Sequence, residues 1–192
     1  MEIIGIGNAG REICKVFEQK GYKAYSIDNH SDAFVKFPKL KTIEEAEKVE
    51  IDLSQLKNNI KSDHILCVMA GSGLITGACL RILENFKDKK IDFLYIQPDT
   101  SFMNNNGKTR ERVVRNILQE FARSGLFNKM LMVSNKSISN LSSDISIGNY
   151  FEKVNEKVVD MWYLMEYYSQ ATALMGNLED PQEQNRIATF GL

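Results

Sequence analysis

Two glycine-bearing segments carry the residues best suited to chemistry. One is Gly5-Ile6-Gly7-Asn8-Ala9-Gly10, followed by Arg11; the other is Gly71-Ser72-Gly73-Leu74-Ile75-Thr76-Gly77. Each stands between an apolar strand pattern and a helical pattern. Such a loop leaves backbone N–H groups unobstructed at the positive end of a helix, where phosphate binds well. Two of them in one small domain predict a site that grips a polyphosphate from two sides, and hence a nucleotide-binding protein.

The elements that must position these loops alternate along the chain. The pattern predicts strand 2–6, helix 9–20 closed by Gly21, and strand 23–28. The polar stretch 29–62 predicts a short strand and one or two helices. A nearly continuous apolar strand, 64–70, leads to helix 75–86 and strand 91–97. Helix 108–124 ends at Gly125, strand 129–134 follows, and a long helix spans about 149–175 and ends at Gly176. Phe151, Val154, Val158, Trp162, Met165 and Tyr168 give that helix one apolar stripe at three- and four-residue spacing. Strands apolar on both faces and separated by helices predict a doubly wound, mainly parallel α/β sheet with helices on both faces and a long C-terminal helix. Ligands on such sheets sit at the carboxyl ends of the strands. Both glycine loops, Asp28, Pro98-Asp99 and Asn135 fall there.

The bulk composition sets the class. A chain of 192 residues, 43% hydrophobic and 26% charged, can form one α/β domain with a core. A net charge of −1 gives no electrostatic reason for a nucleic-acid or anionic-membrane partner. No apolar run reaches the roughly 18 residues of a membrane span. The N-terminus enters a strand with no signal-peptide pattern, so a cytoplasmic location is expected. Cys14, Cys67 and Cys79 are odd in number and lack metal spacing. They read as buried apolar residues rather than a disulfide framework or a zinc site.

In order and spacing over about residues 1–180, these blocks resemble the nucleotide-binding domain of the tubulin/FtsZ family. Gly7-Asn8-Ala9-Gly10-Arg11-Glu12-Ile13 is similar to that family's first loop. Residues 71–77 resemble its signature Gly-Gly-Gly-Thr-Gly-Thr-Gly, matching at Gly71, Gly73, Thr76 and Gly77. Gly107-Lys108-Thr109-Arg110 is similar to a bacterial segment in which Arg110 falls on the last arginine. Val133-Ser134-Asn135-Lys136 resembles a strand end that supplies a guanine-contacting asparagine. Phe151-Glu152-Lys153-Val154-Asn155 resembles the start of the central helix, where an aromatic and an amide or acid meet the base. The resemblance implies GTP or GDP as ligand, with Mg2+, and assembly of copies into a filament. Phe151 and Asn155 are four apart and share a helical face, so a ring could stack on a purine while the amide reads its edge. The competing reading makes Phe151 core and Asn155 a solvated polar residue.

The departures are specific. Leu74 and Ile75 replace a threonine and a glycine of the signature, and a β-branched side chain then stands where backbone should approach phosphate. Asn106 replaces an acid before Gly107. The family hydrolyses the nucleotide of a neighbouring subunit with a loop Asn-x-Asp-x-x-Asp. Here that segment is Asn177-Leu178-Glu179-Asp180-Pro181-Gln182, so Glu179 falls on the first acid and Gln182 replaces the second. An amide cannot act as a general base, which leaves Glu179 or Asp180 as the catalytic candidates. The expected organisation is a nucleotide-binding domain over 1–176 and a tail over 177–192, without the family's second domain. Divergent first loops of this kind are found in phage and plasmid relatives; a phage-encoded chain would act in its host's cytoplasm.

Three competing readings remain open. Gly5-x-Gly7-x-x-Gly10 after a strand, with Asp28 ending the next strand, also fits a dinucleotide-binding fold that takes NAD. Asn106-Gly107-Lys108-Thr109 ends like a Walker motif, but the required earlier glycine is Phe102, so Lys108 reads as a solvated charge. Leu74, Ile75 and Gln182 favour a degenerate fold kept as an interaction module. His64 opens an apolar strand and reads as a strand-end hydrogen bonder.

Overall fold

The computed structural model describes residues 1–140, 149–169 and 186–190. Its strands are β1 (Glu2–Ile6), β2 (Ala24–Asp28), β3 (Val35–Lys36), β4 (His64–Ala70), β5 (Lys90–Gln97), β6 (Lys129–Ser134) and β7 (Ile187–Thr189). They form one sheet in the order β3-β2-β1-β4-β5-β6-β7, with every neighbouring pair parallel. The helices are α1 (Gly7–Gln19), α2 (Ile43–Lys48), α3 (Ser54–Asn59), α4 (Cys79–Glu84), α5 (Asn105–Ser124), α6 (Asn135–Asn140) and α7 (Tyr150–Ser169).

Alternate strand residues feed two apolar layers, so the central strands are apolar throughout. Ile4, Ile6, Cys67, Met69, Phe93 and Tyr95 face α2–α5. Ile3, Leu66, Val68, Leu94 and Val133 face α1, α6 and α7, where Trp162 meets Phe17 edge-on at 5.4 Å between ring centroids. All three cysteines are free and buried. Burial pushes the Cys79 thiol up to about 12, so it is inert. No helix among the described residues is long and apolar enough to cross a membrane.

The local chemistry shifts some boundaries. Asn104 caps α5, its Oδ1 accepting from Gly107 N at 2.8 Å, so the helix starts at Asn105 rather than 108. The helix expected over 75–86 is a 3-10 turn, Leu74–Ala78, running into α4. Thr76 donates both its N–H and its hydroxyl to the Gly73 carbonyl, at 3.2 and 2.7 Å, and so favours the tighter turn. The short helix α6 and strand β7 are additions to the expected pattern.

Candidate functional site

Parallel register puts Ile6 beside Met69, so the two glycine loops leave adjacent strand ends. From β1 the chain turns toward β2 and β3; from β4 it turns toward β5 and β6. The gap between β1 and β4 is therefore the topological switch point, where open α/β sheets bind ligands. Gly7 adopts φ 77°, a backbone suited to glycine, and opens α1. Among the described residues no side chain caps the first turn of α1, and Asn8 is exposed there.

The glycines divide by role. Gly73 is exposed. Gly10 and Gly77 admit neighbouring backbone: a Cβ would lie 2.6 Å from the Val68 carbonyl at Gly10, and 2.7 Å from the Ile43 carbonyl at Gly77. Ala9 is half-buried beside Gly10. The side chain of Ile75, 8% exposed, joins the core layer facing α2–α5 and lies against both loops. Its Cγ2 would be 2.8 Å from a Cβ at Gly7 and 3.6 Å from one at Gly73. Leu74 is half-buried, and Thr76 is buried with its hydroxyl bound locally.

Arg11 is buried and fully engaged. Its guanidinium meets Asp28 at 3.1 Å, Asp32 at 2.7 and 2.9 Å, Glu12 at 2.6 Å and Asn8 Oδ1 at 2.8 Å. Arginine has donors only, so Asn8 turns its carbonyl oxygen inward and keeps its NH2 group for other partners. Desolvation raises the Asp32 carboxyl, but hydrogen bonds from His30 and Lys15 and the Arg11 charge outweigh it. The net effect holds that carboxyl well below the usual carboxylate range. Asp32, 21 residues from Arg11, was not among the sequence candidates. Only a buried arginine in need of counter-charges signals it.

Arg110 reaches the second loop, its guanidinium donating to the Ser72 carbonyl at 3.1 Å. Asn135 begins α6, and its buried Oδ1 has no hydrogen-bond partner among the described residues. Phe151 is 70% exposed, with its ring edge-on to Tyr150 at 5.1 Å, so it is not a core residue. Asn155 is half-buried. Helices α1 and α7 meet at Phe17 and Trp162. Gly10 and Asn155 each stand seven residues before that contact, about 10 Å along their own helix axes. Glu179 and Asp180 lie outside the described residues. Away from this end, His64 Nε2 pairs with Asp92 at 2.9 Å at the amino ends of β4 and β5.

No family model matches the sequence, and no curated protein matches it. Solved structures do match. CetZ2 from Haloferax volcanii, in a GTPγS-bound protofilament, gives a TM-score of 0.67 at 16% identity over 91% of this chain and 61% of that one. An empty FtsZ dimer from M. jannaschii gives 0.66 at 13% identity over 91% and 57%. A mutant of FtsZ from M. jannaschii gives 0.65 at 14% over 91% and 58%. The chain spans about six-tenths of the length of these structures. The seven-stranded parallel sheet and long α7 therefore have the fold of the tubulin/FtsZ nucleotide-binding domain.

Proposed function

We propose that this chain binds a guanine nucleotide at the switch point between β1 and β4. One observation carries the reading: both glycine loops emerge side by side there, next to the uncapped start of α1. In this reading the first-turn amides of Gly7, Asn8 and Ala9 and those of Gly71–Gly73, with the Asn8 NH2 group, take the phosphates, while Gly10 lets α1 approach the strands. Arg11 acts from behind, by orienting Asn8. Arg110 braces the second loop through Ser72, while Thr76 and Gly77 shape its exit. Asn135, Phe151 and Asn155 hold the base. The orphaned Asn135 oxygen supports this, because a buried acceptor needs a donor and guanine offers N1–H and N2–H2. Among the described residues no cluster of three His, Cys, Asp or Glu could hold a metal ion, so Mg2+ would arrive on the phosphate oxygens.

The structures matched include a protofilament and a dimer. By extension, copies of this chain would stack into a filament, and Glu179 or Asp180 of one copy would orient water at a neighbour's nucleotide. The NAD reading is weakened by Asp28, which a ribose would need but which is buried against Arg11. Ile75, lying against both loops, favours instead an interaction module without nucleotide. Equilibrium titration with GTP, ATP and NAD in parallel, with Mg2+ present, separates the three. Saturable binding tightest for GTP supports the proposal. NAD preference, or no binding by folded protein, overturns it.

A further inference from the structure

Gly71 has no positive φ, yet it admits no side chain. A Cβ there would overlap Tyr95 Oη and lie 2.7 Å from Cζ. Tyr95, on β5, is fully buried, and its hydroxyl donates to Glu111 Oε1 at 3.2 Å. Glu111 is 3% exposed and also holds Arg115 at 2.9 Å. Arg110, its neighbour on α5, donates to Ser72. Two consecutive α5 residues thus reach the start of the second loop, one directly and one through Tyr95.

We propose that Tyr95 is a positioning residue for the second glycine loop, its hydroxyl wedged between Gly71 and Glu111 so that the path of residues 71–73 is tied to α5. The missing side chain at Gly71 and the hydroxyl at Tyr95 are complementary halves of one contact. Burial, then the Glu111 charge and hydrogen bond, push the phenol up, so Tyr95 remains a donor at any working pH. The consequence for phosphate binding rests on the nucleotide reading above; the wedge itself does not.

Three variants test it: Tyr95→Phe, Gly71→Ala, and Gly71→Ala combined with Tyr95→Leu. Two readouts are used on the full chain, GTP affinity and hydrogen exchange at the Thr76 amide, whose bond to the Gly73 carbonyl depends on the loop's path. Tyr95→Phe keeps the ring and loses the hydroxyl, so Thr76 exchange should accelerate by up to about tenfold while β1 and β4 amides stay protected. Gly71→Ala should weaken GTP binding by about tenfold or more, and Tyr95→Leu should restore most of it by making room for the methyl group. Unchanged Thr76 exchange in Tyr95→Phe overturns the proposal. So does a Gly71→Ala defect that Tyr95→Leu leaves untouched. If the wild-type chain binds no GTP while Tyr95→Phe still loosens Thr76, the nucleotide reading fails and the wedge stands.

Discussion

Replacing Gly10 by alanine drives α1 off the sheet. The new Cβ would lie 2.6 Å from the Val68 carbonyl oxygen, 2.8 Å from the Gly5 carbonyl carbon and 2.9 Å from Gly5 Cα. All three are backbone atoms of central strands, so only α1 can move. Overpacking costs about 1–3 kcal/mol, and three immovable neighbours put this site near the upper end. A loss of about 3 kcal/mol lowers Tm by about 6–12 °C in a chain of this size. Gly21→Ala is the control. Unlike Gly10, it has a left-handed backbone to satisfy, at φ 86°, but nothing lies within 4 Å of its Cβ. Its cost is backbone strain alone, about 1–2 kcal/mol, at the far end of α1. Urea unfolding gives both stabilities, and GTP titration follows each variant. Gly10→Ala should lose the larger stability and bind GTP at least about tenfold more weakly, a difference of about 1.4 kcal/mol, while Gly21→Ala binds as wild type. A Gly10→Ala chain within about 0.5 kcal/mol of wild type would refute the packing argument.

Three further outcomes are expected. Arg11→Ala leaves Asp28 buried without a counter-charge and should cost about 3–5 kcal/mol in urea unfolding; adding Asp28→Asn should recover part of that, and no recovery would contradict the pairing. Burial raises the Asp92 carboxyl, but hydrogen bonds from His64 and Asn128 outweigh this and leave it below the usual range. Its stabilisation is therefore present above about pH 4 and fades as pH falls through the folded value, so urea midpoints of Asp92→Asn should vary less below about pH 4 than those of wild type. Phe151→Ala should change stability by less than about 0.5 kcal/mol, since the ring is exposed, while GTP affinity drops by the about 1–3 kcal/mol of a lost base stack. Equal GTP affinity in Phe151→Ala and wild type would remove Phe151 from the site.

The sheet was legible because its strands are apolar on both faces. Strands 64–70 and 129–134 read at their observed bounds, and both glycine loops fell at strand ends as expected. Strand β7 was not legible, since three residues gain their strand character only by pairing with β6. Helix α6 spans six residues, too few to show a period. Apolar spacing placed Phe151 on the same stripe as Val154 and Trp162, yet the structure buries only the latter two. Sequence could not separate glycines kept for a ligand from those kept for a neighbour. Gly71 answers to Tyr95 and Gly77 to the Ile43 carbonyl, contacts made across the fold. Arg11 read as a phosphate ligand in a loop motif, while its carboxylate partners Asp28 and Asp32 stand far along the chain.

The most direct measurement is an amide NMR titration of the 15N-labelled chain with GTP and Mg2+. The amides of Gly7–Arg11 and of Gly71–Gly73 should shift together, saturating at one ligand concentration, with the Asn135 side chain following the same curve. Shifts at only one of the two loops, or none at either while the protein stays folded, would contradict the shared site.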